Sequence, residues 1–222
     1  MTGEKKKWGG LILAGGASRR MGRWKAALPW EAKQSLLQVH QQHLTLAGAD
    51  ALAVVVAQQY MGEAKPLLAK KSRVLEQPDP DAPLFASFLL GLQELTRQLP
   101  DLHAVAMTPV DCLPLIPGDI KAMAKLAKQR NVLAVRPCAP REEGGLRYGH
   151  PLILQRPALD ELLQLDPATG RIDLWLRDLS PEKQRGFALD DPQWLLNMNT
   201  PDAYETGRAF YLRQLNQMDP AE

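Results

Sequence analysis

Leu11-Ile12-Leu13-Ala14-Gly15-Gly16-Ala17-Ser18-Arg19-Arg20-Met21-Gly22-Arg23-Trp24-Lys25 begins aliphatic, passes through paired glycines and ends in positive charge. The aliphatic part, Gly10–Leu13, reads as a strand. Gly15 and Gly16 lack a Cβ, so the backbone there can turn sharply and bring N–H groups against a ligand. A short helical turn is expected next, and its free N–H groups favour an anion. Arg19, Arg20, Arg23 and Lys25 then place four cations within a few residues. A triphosphate carries about four negative charges, and arginine grips its oxygens bidentately. Two familiar phosphate loops are excluded. A P-loop needs Gly-Lys five residues after its first glycine, but Met21 stands five after Gly16, and Lys25 follows Trp24. The dinucleotide fingerprint fails because Ala17 and Arg20 occupy its second and third glycine positions.

Outward from this segment, short aliphatic runs alternate with longer amphipathic ones. Strands are expected at Gly10–Leu13, Leu52–Ala57, Ser72–Leu75, Ala104–Met107, Val132–Val135, Pro151–Leu154 and Gly186–Leu189. Helices are expected at Leu36–Ala47, Gln59–Lys70, Phe85–Gln98, Pro117–Lys128, Pro157–Leu165, Arg171–Leu176 and Pro201–Gln217. This alternation predicts an α/β fold, a three-layer α/β/α sandwich around a mostly parallel sheet. Leu52–Ala57 has the unbroken apolar character of a strand covered on both faces. Gln77–Pro83 and Pro137–Gly149 read as loops. Neither is long enough to link domains, so one domain is expected, with a core of about residues 8–204 and a terminal helix and tail over 205–222. In open α/β sheets ligands gather outside the carboxyl ends of the strands. Attention therefore falls on the residues after Leu13, Ala57 and Met107.

Composition narrows the partners. Of 222 residues, 45% are hydrophobic and 23% charged, the balance of a globular protein, and the net charge of +2 is too small to argue for nucleic acid or an anionic membrane. Any anion site must be a local pocket. Cys112 and Cys138 show no metal-binding spacing and read as reduced thiols of a cytoplasmic protein. Lys5, Lys6 and Lys7 precede an apolar run too short and glycine-rich for a signal peptide, and are expected to form a solvated tail. No segment approaches the roughly 18 apolar residues of a membrane span.

Downstream, Thr108-Pro109-Val110-Asp111-Cys112-Leu113-Pro114 follows a central strand. An aspartate there can hold Mg²⁺ or cap the helix near Pro117. His150, at a strand entrance, can bind a phosphate or be a satisfied edge histidine. Gln77 and Ser87 flank a polar loop before a helix and can read a base edge. In Asn197-Met198-Asn199-Thr200-Pro201-Asp202, Thr200 is a natural N-cap, Pro201 suits the first helical turn and Asp202 complements the helix dipole.

The pattern L-A-G-G-x-S-x-R-M-G-x-x-K over Leu13–Lys25 resembles the signature of nucleotidyltransferases with the nucleotide-diphospho-sugar transferase (Rossmann-like) fold. Within them the chain is most similar to the MobA-like NTP transferases, the molybdenum cofactor guanylyltransferases and cytidylyltransferases. The resemblance runs from about Gly10 to Tyr204 in the expected motif order. It implies that Leu13, Ala14, Gly15, Gly16, Ser18 and Arg19 contact the nucleotide, with Gln77 and Ser87 near its base. It makes Lys25, Arg20 and Asp111 the catalytic residues: Arg20 and Lys25 on the phosphates, Asp111 on Mg²⁺. The family's P-x-D-x-P segment usually has proline two residues after the aspartate; here Pro114 follows Asp111 by three. Trp194–Tyr204 resembles the family's closing motif, a strand entering a helix; within it Asn197 and Asn199 match the N-x-N-T-P ending of the guanylyltransferase branch, whereas Gly149-His150-Pro151 matches the G-H-P of the cytidylyltransferase branch. His150, Asn197 and Asn199 are the implied acceptor-binding residues. The implied activity is Mg²⁺-dependent transfer of NMP from CTP or GTP to a molybdopterin-type phosphate acceptor, with transient contact to the enzyme that receives the cofactor. A sugar- or polyol-phosphate nucleotidyltransferase is the alternative within the class, and a non-catalytic nucleotide-binding regulator the alternative outside it.

Overall fold

The computed structural model describes residues 6–16, 21–79 and 81–218. The chain starts in β1 (Lys7–Ala14) and passes through a small antiparallel hairpin, β2 (Pro29–Glu31) and β3 (Gln34–Ser35), into α1 (Leu36–Leu46) and β4 (Ala51–Ala57). A short α2 (Met61–Ala64) leads to β5 (Ser72–Gln77), α3 (Leu84–Gln98) and β6 (Leu102–Pro109). Then come α4 (Pro117–Leu126), β7 (Ala134–Pro140), β8 (Leu146–Tyr148), β9 (Leu152–Gln155), α5 (Arg156–Leu162) and α6 (Ile172–Asp178). β10 (Gln184–Ala188) and α7 (Pro201–Met218) complete it.

The eight-stranded sheet has the order β5-β4-β1-β6-β9-β7-β10, with β8 paired antiparallel to β7. β9 runs against both its neighbours, while the β5-β4-β1-β6 half and the β7-β10 pair are parallel. The expected mostly parallel sheet is therefore present. Alternation along the strands divides the core into two layers. Ile12, Leu52, Val54 and Val56 pack with α1, α4 and α7, whereas Leu11, Leu13, Ala53 and Val55 pack with α3, α5 and α6. All seven residues of β4 are buried, as a strand covered on both faces requires. The helices sit close to β1. A Cβ on Gly91 of α3 would come within 2.1 Å of Leu11, and one on Gly10 within 3.0 Å of Leu44 of α1.

Local chemistry explains most boundaries. Ser35 and Gln38 form a reciprocal capping box at the start of α1. Thr200 Oγ1 accepts the Ala203 N–H at 3.2 Å, the expected N-cap of α7. Four expectations need correction. The helix over Gln59–Lys70 shrinks to α2 between two 3₁₀ turns. Buried Gln41 accounts for this: its amide donates to Leu67 O and its oxygen accepts from Ala69 N, binding that chain in a non-helical path. Pro137–Gly149 is mostly not loop. It holds the end of β7 and all of β8, joined through Gly144 and Gly145 at φ +90° and +79°. Nor is the lysine run simply a solvated tail, since Lys7 opens β1 and Lys5 alone lies outside the described residues. The segment before Thr200 is not a strand either. A 3₁₀ turn over Pro192–Leu195 leads into a single antiparallel bridge, Asn197 to Cys112. Among the described residues no helix is long and apolar enough to cross a membrane.

Candidate active site

From β1 the chain builds outward through β4 and β5, then returns to lay β6 on the opposite side of β1. The reversal leaves a crevice at the carboxyl ends of β1 and β6, the position where open α/β sheets bind ligands. A cavity of about 210 Å³ occupies it. Its walls are the β1 exit (Leu13, Ala14, Gly15, Gly16), the β5 exit (Gln77, Asp79) and the first turn of α3 (Leu84, Ser87). Lys25, Val110 and Asp111 close the remaining side.

Backbone pairing fixes these loops together. Val110 N–H donates to Leu13 O at 2.9 Å, tying the two strand exits, and Trp24 Nε1–H donates to Ala14 O at 3.2 Å. Trp24 also stacks on Tyr60, with ring centroids 5.2 Å apart and an 11° angle between planes. This buried strut presents the next residue, Lys25, to the cavity. Lys25 Nζ lies 3.2 Å from Asp111 Oδ2 and 3.0 Å from Asn199 Oδ1. The lysine side chain is 12% exposed and the aspartate 28%, so the ion pair is sheltered but open toward the cavity. Asp111 does not cap α4, whose N-cap Ile116 offers no side-chain bond.

The extra residue between Asp111 and Pro114 is absorbed inward. Leu113 is buried, and Met198 N–H donates to Asp111 O at 2.7 Å. Cys112 Sγ donates to Asn197 Oδ1 at 3.4 Å. Burial, with Asp111 adding to it, pushes the Cys112 thiol well up, which keeps it a donor rather than a nucleophile. Two α1 histidines grip the same loop: His40 Nε2 donates to Cys112 O at 3.1 Å, and His43 Nδ1 to Leu115 O at 2.8 Å. Burial holds both below the ordinary histidine value, His40 at about 3.

On the base side, Gln77 Nε2 donates to Ser87 Oγ at 3.1 Å. A Cβ on Gly15 would fall 3.6 Å from that hydroxyl and 3.7 Å from Gln77 Cβ, while one on Gly16 would meet nothing within 4 Å. The glycines thus leave the cradle open between their own backbone and the Gln77–Ser87 pair.

The structure brings Leu13, Ala14, Gly15, Gly16, Lys25, Gln77, Ser87 and Asp111 around one cavity, with Asn199 bonded to Lys25 behind it. Asn197 holds the Cys112 loop instead. Ser18, Arg19 and Arg20 lie outside the described residues, as does the helical turn expected after Gly16. Arg23 is exposed and does not line the cavity. His150 lines an adjoining cavity of about 670 Å³, which shares Leu84 with the first. Its Nδ1 is buried without a hydrogen-bond partner, the Met107 backbone gives the ring a contact, and burial favours its neutral form. Arg136 also lines this cavity, its guanidinium 4.0 Å from the Tyr148 ring centroid, together with Arg171 and Arg177. None of these arginines was anticipated; only Tyr148, beside Gly149-His150-Pro151, was within reach of a motif.

A cavity at the switch point, closed by a lysine and an aspartate and sharing Leu84 with a second, arginine-lined cavity, is the ligand site expected of an α/β enzyme of this topology. Residues 10–183 match the MobA-like NTP transferase domain, and the chain belongs to that family of nucleotidyltransferases. It is 29% identical over 204 residues to the probable molybdenum cofactor guanylyltransferases of Synechococcus elongatus and Synechococcus sp., covering 88% of this chain and 95% of each relative. The fold matches a nucleotidyl transferase from Methanothermobacter thermautotroptrophicus with a TM-score of 0.73 at 22% identity, covering 94% of this chain and 99% of that one. It also matches Rv0371c from Mycobacterium tuberculosis H37Rv with a TM-score of 0.71 at 21% identity, covering 90% and 97%.

Proposed function

We propose that this enzyme transfers GMP from GTP to the phosphate of a molybdopterin-type cofactor, with Mg²⁺ as its metal ion, and acts in the cytoplasm as one domain. The observation that carries the reading is the Lys25–Asp111 pair on the wall of the switch-point cavity, with Asn199 bonded to Lys25 behind it. In the reaction an acceptor phosphate oxygen attacks the α-phosphorus of GTP. The bond from that phosphorus to the bridging oxygen breaks, and pyrophosphate leaves with the electron pair. An ionised phosphate needs no general base. What the protein must supply is alignment and compensation of charge.

Lys25 is assigned to that charge, and its bonds to Asp111 and Asn199 hold it at the cavity, ready to turn toward a phosphate. The donor set also fits a hard divalent ion. Among the described residues no group of three His, Cys, Asp or Glu side chains could hold a metal alone, and Mg²⁺ characteristically takes one or two carboxylates and completes its shell with phosphate and water. Asp111, with the amide oxygen of Asn199, would hold it; the ion would offset negative charge between triphosphate and acceptor. A relative of the same fold has been solved in complex with manganese, which supports a divalent site. Arg20 is assigned to the departing pyrophosphate, Ser18 and Arg19 to the nucleotide, and Gln77 with Ser87 to the base.

The acceptor belongs in the second cavity, where His150 Nδ1 lacks a partner and Arg136 is braced by Tyr148 and by a 2.9 Å bond to Gln184. The names of the Synechococcus relatives and the N-x-N-T-P ending at Asn197 and Asn199 support GTP. Gly149-His150-Pro151 is the feature that favours CTP. Melting the protein with GTP, CTP, ATP or UTP, each with and without Mg²⁺, tests the reading. A ligand at about 100 times its Kd stabilises by roughly 2.7 kcal/mol. A Mg²⁺-dependent shift with GTP alone is expected. The same shift with CTP instead would move the chain to the cytidylyl reading, and a shift with none would remove the nucleotide site.

A further inference from the structure

At the opposite end of the sheet lies a groove of about 610 Å³ that the proposed chemistry does not use. β1 spans eight residues, so at about 3.3 Å per residue its start lies roughly 23 Å from its phosphate-facing end. The groove runs between the end of α1 and the outer face of α4, above the starts of β1 and β6 and the end of β9. Its floor is apolar: half-buried Trp8, with Ala47, Ala104 and Ile153. Its rim is basic. Lys121, Lys125 and Lys128 stand at helical spacing along one side, all exposed, and Lys6 faces them from the other. Among the described residues no carboxylate lines it, although Asp101 lies 3.7 Å from Lys7 and Asp50 accepts from the Trp8 N–H at 3.1 Å. The field is felt locally: His103, also in the groove, is held below its ordinary value by burial and then by Lys6 and Lys128.

We infer that this groove is a docking site for an acidic, amphipathic segment of a partner protein, carboxylates meeting the lysine rim and an aliphatic or aromatic side chain filling the Trp8–Ile153 floor. The arrangement selects that occupant over other anions. A bilayer presents a surface that would meet the ammonium groups but could not reach a recessed floor. A nucleic acid would be expected to meet arginines and stacking rings, whereas among the described residues no arginine lines the groove and Trp8 is its one indole. A small inorganic anion would leave the apolar floor wet. Docking here leaves the crevice at the other end free for nucleotide and acceptor.

The test is fluorescence anisotropy with a short labelled peptide of Glu and Asp around a central Leu-Phe pair. Saturable binding is expected, weakening as salt rises and falling roughly tenfold or more in a Lys121→Glu/Lys125→Glu/Lys128→Glu variant. On the unaltered protein, replacing the Leu-Phe pair by Ser-Ser should cost roughly tenfold as well, since the apolar contact is lost. That arm does not depend on how the variant folds. No saturable binding, or binding indifferent to both changes, overturns the inference. So does lysine-dependent binding to phosphatidylserine vesicles without peptide binding, or equal competition by inorganic triphosphate at matched ionic strength.

Discussion

Lys25 carries two bonds that draw it toward Asp111 and Asn199, and the proposed reaction asks it to exchange them for phosphate oxygens. On that account Lys25→Ala and Asp111→Asn each lower turnover by roughly 10²–10³-fold, the usual cost of losing one group aimed at developing charge. Their melting curves should keep the shape of the parent. Near-normal turnover in either would remove these residues from the chemistry. Gly15→Ala separates binding from folding. Its new methyl would lie in ordinary contact with Ser87 and Gln77, so stability should hardly change. The methyl occupies cradle space, however, and nucleotide affinity should fall about tenfold, near 1.4 kcal/mol. An unchanged Kd by calorimetry would place the ligand elsewhere. Gly15, Gly16, Lys25 and Asp111 were legible because glycine and charge beside a strand exit have few other uses. His40 and His43 were not: they act on carbonyls 72 residues away, and nothing in a helix's own periodicity records such a partner.

The loop Val110–Ile116 shows how an element can be held without regular structure. Leu13, Met198, Asn197, His40 and His43 each bond to it or to its side chains. His43 in turn shares the Tyr211 hydroxyl with Glu31, so α1, the β2–β3 hairpin and α7 brace the Asp111 loop together. His40→Leu leaves the Cys112 carbonyl without its donor and should cost about 1–3 kcal/mol by denaturant melts. A loss near zero would show the loop is held by its other contacts. The histidines also set a pH dependence. His40 titrates at the ordinary 6.5 unfolded and about 3 folded, and His43 and His150 are lowered too. The unfolded chain therefore binds more protons in that window, and stability should be full above about pH 6.5 and decline as pH falls toward 3. His40→Leu should flatten that slope; an equal slope would assign the dependence to other groups. Each of the seven expected strands has a counterpart, and the plainest, β4, is apolar and buried along its whole length. The β2–β3 hairpin, β8 and the true path of 58–70 were hidden, since proline and glycine read as loop and Gln41's bonds are tertiary.

For the molecule as a whole, a net charge of +2 conceals a local concentration of positive charge at the lysine-rimmed groove, while the crevice at the other end of the sheet sets Lys25 among Asp79 and Asp111. The strand order explains why that crevice is the proposed reaction site: the switch between β1 and β6 leaves a crevice into which the Gly15–Gly16 turn, the Asp111 loop and the start of α3 all project. On the proposed reading, the adjoining cavity would hold the acceptor, whose phosphate must approach the same α-phosphorus. The most direct measurement is pyrophosphate release with GTP, Mg²⁺ and molybdopterin-type cofactor, omitting each component in turn. The account predicts release that needs all three and leaves GMP covalently attached to the cofactor. Release that ignores the cofactor, or none in the complete mixture while GTP still binds, would contradict it.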